Sequence, residues 1–260
     1  MRTNMTDAGH GGHDSGAIGV AGCLEKDIVL EVANKVSDYL KTQDIKNINT
    51  RNTDIFLTLS ERSSKANSLG VNSFVSIHCN SVDNPNAQGL ETYCYKFKYR
   101  VLADAIHSEI IKEGLYTKNR GVKEGNLHVI RETNMDACLV ELGFITNEED
   151  YNLIMNNKDK FAKAIAKGIC KFNSVEWKDT DTETNTEGFT NGDYSGRKAK
   201  VIADVLNVRW DRGTEYEIIG QVKYGDIVNL QYCLNRWVSI EGFKGNKGLG
   251  YVNSKYLKLI

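Results

Sequence analysis

Between Leu24 and Leu40 the apolar residues Ile28, Val29, Val32, Ala33, Val36, Tyr39 and Leu40 recur at helical spacing, with Glu31, Lys35 and Asp38 among the polar positions. That period predicts an amphipathic helix. The same spacing predicts helices at about 60–69, stopped by Gly70, and at about 97–115 through Val101, Leu102, Ala105, Ile106, Ile110 and Ile111. A fourth is expected from about 158 to 172 through Phe161, Ala164, Ile165, Gly168, Ile169 and Phe172, with Asn156 and Asn157 as caps. Two short apolar runs, 73–78 and 137–140, favour strands, and loop-forming residues from Asn80 to Asn86 follow the first. Strands alternating with helices imply an α/β domain: an open, mixed, largely parallel sheet flanked by helices, whose ligands bind beyond the carboxyl ends of the strands. The first residues, Arg2-Thr3-Asn4-Met5-Thr6, are too polar for a buried central strand and are expected to form a short edge.

The pattern changes after residue 173. From 174 to 196 the chain is rich in Thr, Asp and Glu and reads as a flexible linker. Beyond it, short strand-like runs at 200–209, 218–222, 226–232, 237–240 and 250–252 alternate with Gly and Asp turns, the pattern of a small all-β barrel. The organisation expected is a first domain over 1–173, a linker over 174–196 and a barrel over 197–260.

Composition narrows the partners. With 33 basic and 34 acidic residues in 260, the chain lacks the charge excess that nucleic acid or an anionic membrane surface would select. No apolar run approaches the roughly 18 residues of a membrane span, and Met1 to Thr6 carry no recognisable signal peptide, so synthesis in the cytoplasm is expected. Six scattered cysteines form no Cys-x-x-Cys pair, which fits free thiols rather than a zinc ribbon or a disulfide framework. Cys79 would face away from its neighbour His78 along a strand and serve as a small apolar filler.

Four dispersed residues carry the candidate chemistry. His10 lies in the glycine turn Asp7-Ala8-Gly9-His10-Gly11-Gly12, Glu25 opens the first helix, His78 ends one strand run and Glu141 ends another. Taken singly, His10 is an ordinary loop histidine and Glu25 a carboxylate suited to a helix N-terminus. Taken together, two imidazoles and a carboxylate make a three-ligand zinc site with its fourth position open to water, an arrangement that serves hydrolysis. Glu141 supplies the general base or electrostatic partner. His13 is expected to be a solvated loop residue and His107 a surface or partly buried one, while His128 is a candidate for approaching the cleft whose ordinary structural role is the stronger expectation. Arg62 and Arg131 suit a substrate carboxylate or, more ordinarily, ion pairs with neighbouring acids.

These segments resemble the zinc-dependent N-acetylmuramoyl-L-alanine amidases. The resemblance runs through Asp7 to Gly12, Asp14-Ser15-Gly16-Ala17, Glu25-Lys26-Asp27, Thr50-Arg51-Asn52-Thr53-Asp54, Leu59-Ser60-Glu61-Arg62, Ser76 to Asn80, Gly89 to Tyr93 and Glu141 to Asn147, in that family's order over roughly residues 5–172. It implies His10, Glu25 and His78 as zinc ligands, Glu141 as the catalytic acid, and cleavage of the amide between N-acetylmuramic acid and L-alanine of the peptidoglycan stem peptide. Residues 200–260 resemble a bacterial SH3-like domain through Leu206-Asn207-Val208-Arg209, Gly225 to Val228, Trp237 to Ile240 and Gly250-Tyr251-Val252, which implies attachment to the cell wall. The chain would then act at the bacterial wall as a phage endolysin or an autolysin. A zinc peptidase cutting within the stem peptide and a non-catalytic wall-binding protein are the competing readings. Oligomeric state is not written in the sequence.

Overall fold

The computed structural model describes residues 2–116, 118–178, 189–214 and 216–260, which fall into two compact units divided after Lys178. In the first unit the strands are β1 (Arg2–Ala8), β2 (Ile45–Asn49), β3 (Ser73–Asn80), β4 (Leu90–Cys94), β5 (Asn119–Glu124) and β6 (Asp136–Phe144). Its helices are α1 (Glu25–Leu40), α2 (Leu59–Leu69), α3 (Val101–Lys112), α4 (His128–Arg131) and α5 (Glu148–Phe172). The sheet order is β2-β1-β3-β6-β4-β5, parallel throughout except that β4 runs antiparallel to β6. This is the mixed, largely parallel α/β sheet expected.

The polar first segment is not an edge. β1 lies between β2 and β3 with residues 4–8 buried, and its polar side chains are satisfied by one another and by adjacent strands. Asn4 donates to Thr6 and Asn47, accepts from Ser73, and Thr6 donates to Asn47. Burying a polar group is costly only when it loses its partners, and this ladder supplies them.

One face of the sheet carries Ala8, Val75, Ile77, Cys79, Cys138 and Val140 against the apolar sides of α1, α3 and α5. The other packs Met5, Phe74, Ala137 and Leu139 under α2 and α4. Capping explains where the helices lie. Thr58 and Glu61 form a reciprocal capping box at the start of α2, and Gly70 ends it in the left-handed conformation. The helix expected from about 158 begins instead at Glu148, capped by Asn147, so that Asn156 and Asn157 fall inside it. Asn157 marks a kink there and donates to the Leu153 carbonyl. The predicted 97–115 segment divides into a single 3₁₀ turn at Phe97–Tyr99 and α3.

The second unit holds β7 (Gly192–Asp193), β8 (Lys198–Val201), β9 (Val205–Arg209), β10 (Ile218–Lys223), β11 (Ile227–Leu234), β12 (Trp237–Ile240), β13 (Gly250–Asn253) and β14 (Leu257–Leu259), all paired antiparallel. The run expected as one strand over 200–209 breaks into β8 and β9 at residues 202–204. Val201, Val208, Leu230, Val238, Ile240 and Val252 form its core. Of the stretch expected as a linker, Val175 and Trp177 pack on the first core and Phe189 and Tyr194 on the second, while 179–188 lie outside the described residues. No helix among the described residues is long and apolar enough to cross a membrane.

Candidate metal centre

The loop after β1 delivers His10, the first residue of α1 delivers Glu25, and β3 delivers His78. His10 Nε2 lies 3.1 Å from Glu25 Oε2, and His78 Nδ1 lies 3.0 Å from Glu25 Oε1. One donor atom from each falls within 4.8 Å of the others, and among the described residues this is the group of His, Cys and acidic side chains able to hold a metal ion. The two rings meet nearly at right angles with centroids 5.0 Å apart. Two nitrogens and a carboxylate oxygen so disposed suit Zn²⁺, whose N and O bonds are each about 2 Å long.

The backbone here is shaped around these side chains. A Cβ on Gly9 would stand 2.2 Å from the His78 ring. On Gly16, held at φ +65, it would meet both the His10 ring and the Glu25 carboxylate at 2.7 Å. His10 itself takes a left-handed φ of 59, a conformation that non-glycine residues keep only where the surroundings impose it. Arg51 and Arg62 impose it. Arg51 donates to the carbonyls of Ala8, Gly9, Lys26 and Thr53, and Arg62 to those of Ala8, His10 and Leu57. Arg62 also pairs with the buried Asp7 at 2.9 Å, which is the ordinary ion-pair alternative of the sequence reading.

Each candidate ligand has an outer partner. His10 Nδ1 lies 2.9 Å from Asp14, and His78 Nε2 lies 3.1 Å from the Ser76 hydroxyl. Such contacts fix ring orientation and tautomer in metal sites. Glu25 accepts from the backbone N–H groups of Ala17 and Cys79. Burial alone would raise the Glu25 pKa, but its contacts with His10 and His78 outweigh this and hold it well below the usual carboxylate range. Burial lowers and Glu25 raises the affinity of both imidazoles for a proton, with a net upward shift for each.

Glu141 pairs in register with His78 on one side and Glu91 on the other, so all three share a face of the sheet. Sequence places it at a strand end, whereas β6 continues to Phe144 through an extra residue opposite β3, a bulge beside the site. Burial, together with the charges of Glu25 and Glu91, pushes the Glu141 carboxyl up to about 7. Its Oε2 is buried and accepts no hydrogen bond among the described residues. An acid with that value can take or give a proton at neutral pH. A cavity of about 320 Å³ opens beside His10 and His78, with apolar walls from Phe56, Leu57, Leu59 and Val129.

The remaining candidates fall elsewhere. His13 is exposed and stacks on Phe56 at 4.1 Å, and His128 stands 3.5 Å from Ser63 on α2, next to the cavity-lining Val129. His107 is more deeply buried than expected, between Thr92 and Asn119. Arg131 pairs with Glu132 and Asn126. Cys79 is a buried member of the apolar core. Sequence reasoning passed over Asp14 and Arg51 as functional positions, although both stand in the quoted segments; their roles depend on loop carbonyls and ring nitrogens that only the fold brings near.

Residues 5–171 match the N-acetylmuramoyl-L-alanine amidase family, and residues 204–258 match the bacterial SH3 domain. The chain is 40% identical over 172 residues to the endolysin of Bacillus phage SPP1, covering 62% of this chain and 61% of that protein. It is 38% identical over 177 residues to the N-acetylmuramoyl-L-alanine amidase LytC of Bacillus subtilis, covering 65% of this chain and 35% of the relative. Among solved structures, the catalytic domain of CwlV, the amidase of Bacillus (Paenibacillus) polymyxa var. colistinus, superposes with a TM-score of 0.65 at 36% identity. That match covers 68% of this chain and all of the other.

Proposed function

The chain belongs to the N-acetylmuramoyl-L-alanine amidase family, and on that premise we propose that it hydrolyses the amide joining N-acetylmuramic acid to L-alanine in peptidoglycan, with His10, Glu25 and His78 holding Zn²⁺. The observation that carries this reading is the convergence of those donors beside the buried, unpartnered oxygen of Glu141. Zinc, when bound, supplies Lewis acidity toward water and the scissile carbonyl. The chain's own residues do the rest. Glu141 accepts a proton from water at a carboxylate oxygen and returns it to the departing alanine nitrogen, since an amide nitrogen leaves poorly unless protonated. Asp14 and Ser76 hold the imidazoles in place, and the cavity walls of Phe56, Leu59 and Val129 limit water around the reacting bond.

The chain's second unit is assigned a wall-binding role, at the bacterial cell wall. Its exposed aromatics Trp210 and Tyr232 suit stacking on sugar or peptide, whereas Tyr251 is buried and donates to the Asn246 carbonyl. The residues 174–196 are proposed as the join between domains at 1–173 and 197–260.

Mass analysis of fragments from purified walls tests the bond cleaved: a new free amine on L-alanine is expected. An amine on a later stem residue would instead make the chain a peptidase, and release without any new amine would remove the amidase reading. One zinc per chain is expected by elemental analysis, lost together with activity in His10→Ala and His78→Ala but retained in His13→Ala.

A further inference from the structure

Beside Glu141 the same face of the sheet holds a second charged group that the reaction above leaves unused. Glu91, the register partner of Glu141, is buried, and it is met by two cations from the edge strand β5 and by the Asn80 amide. Lys123 Nζ donates to Glu91 Oε2, and Arg120 Nε lies 3.2 Å from the same oxygen. Two positive charges thus meet at one carboxylate oxygen, and both are displayed, the Arg120 and Lys123 side chains being 31% and 37% exposed. Arg120 spends little of its hydrogen-bonding capacity. Its guanidinium stacks over Phe144, with 5.0 Å from Cζ to the ring centroid, while its Nη groups have no hydrogen-bond partner among the described residues.

We infer that Arg120 and Lys123, held in place by Glu91, form a subsite for a carboxylate on the second stem residue, the one that follows the alanine whose nitrogen leaves. The inference rests on the amidase reading and extends it to the direction of the substrate. Adjacent strands are about 5 Å apart, and although β5 is two strands from β6, its cations reach back to Glu91 on β4, so their charged ends stand about one strand step past Glu141. An extended peptide advances about 3.4 Å per residue, which brings a carboxylate on the second stem residue over this pair once the leaving nitrogen is at Glu141. Arginine with free Nη donors offers the planar fork that a carboxylate accepts. On the α2 side of the metal cluster lies the cavity walled by Phe56, Leu57, Leu59 and Val129, with Asp7, Asp14 and Arg62 also in its lining, and it is left for the acyl side of the bond. The substrate therefore runs from the α2 side, across His78 and Glu141, to the β4–β5 edge.

The test uses the full zinc-loaded chain and two soluble disaccharide peptides that differ in one group: the second stem residue carries either a free carboxylate or its primary amide. The free acid is expected to show a KM about tenfold lower, the scale of a charge-assisted hydrogen bond, with kcat changed less. Arg120→Gln should bring the two KM values together, Arg120→Lys should restore part of the difference, and added salt should narrow it in the wild type. Calorimetry with the released peptides supplies a readout independent of turnover, with the acid binding more tightly than the amide. Equal KM values for acid and amide in the wild type would overturn the subsite whatever the variants do, and so would a preference that survives Arg120→Gln. Failure to cleave either substrate after the muramoyl group, with walls also left uncut there, would instead defeat the amidase reading.

Discussion

Two buried polar clusters lie side by side at the carboxyl edge of the sheet and differ in how their hydrogen bonds are spent. In the first, the Asp7 carboxylate accepts from Thr50, Arg62 and Ser76, and Arg62 uses its remaining donors on three backbone carbonyls. That cluster is closed. In the second, His10, Glu25 and His78 turn their donor atoms toward a common centre, and Glu141 presents a buried oxygen with no partner among the described residues. A closed cluster fixes the loop that carries His10; the open one keeps capacity for an ion, a water or a substrate. Charge and burial alone do not separate scaffold from chemistry. What separates them is the convergence of metal-ligand donors on one point and the unpartnered Glu141 oxygen beside them.

The largest effect should come from breaking the closed cluster. Arg62→Ala leaves Asp7 buried without its cation, and removal of one member of a buried pair typically costs about 3–5 kcal/mol. Urea denaturation should show that loss as a lower midpoint, and zinc content should fall with it because the His10 carbonyl loses its anchor. An Arg62→Ala chain as stable as the wild type would show that the two clusters do not differ in the way argued.

The open cluster should respond in the opposite manner. Glu141→Gln removes a charge that nothing in the fold pairs, so the melting temperature should stay level or rise, while turnover falls by roughly 10² as expected for a lost general base. Zinc stoichiometry is the control. A variant with normal turnover, or one that loses its metal and its fold together, would put Glu141 on the structural side of the comparison.

The open cluster was legible in the sequence, whereas of the closed one only the pairing of Arg62 with an acid was. His10, Glu25, His78 and Glu141 are residue types whose joint chemistry is distinctive, and each stands beside a turn, a helix start or a strand run that local patterning already marks. Asn4, Thr6 and Asp7 gave the opposite signal. A strand rich in such residues looks like an edge until the partners are known, and the partners Asn47, Thr50, Arg62 and Ser73 to Ser76 are 40 to 70 residues away in the chain. Pairing at that separation leaves no local period. The start of α5 was missed for a related reason: Asn156 and Asn157 resemble caps, but the kinked helix continues through them because Ile154 and its neighbours pack on the same core as the second half.

His107 offers the gentlest test of the comparison, because it is a closed site of a single titratable group. Its ring nitrogens lie 3.0 Å from the Thr92 hydroxyl and 2.8 Å from the Asn119 amide oxygen, on the face covered by α3. Burial lowers its pKa below the ordinary value of 6.5, and this outweighs the contacts with Asn119 and Asp104 that favour the protonated ring. The folded chain therefore binds this proton less readily than the unfolded chain. Stability from the neutral ring is fully present above pH 6.5 and begins to be lost as pH falls below it, the loss being complete once the lowered value is passed. His107→Gln keeps a polar group between Thr92 and Asn119 but cannot titrate. Melting temperatures of the wild type and the variant, measured on zinc-loaded chains from pH 7.5 to 5, should therefore show the wild type falling more steeply on acidification; His10 and His78 are common to both chains and drop out of the difference. Parallel curves would mean that protonation of His107 costs the fold nothing, and that a closed hydrogen-bond set need not oppose a change in charge.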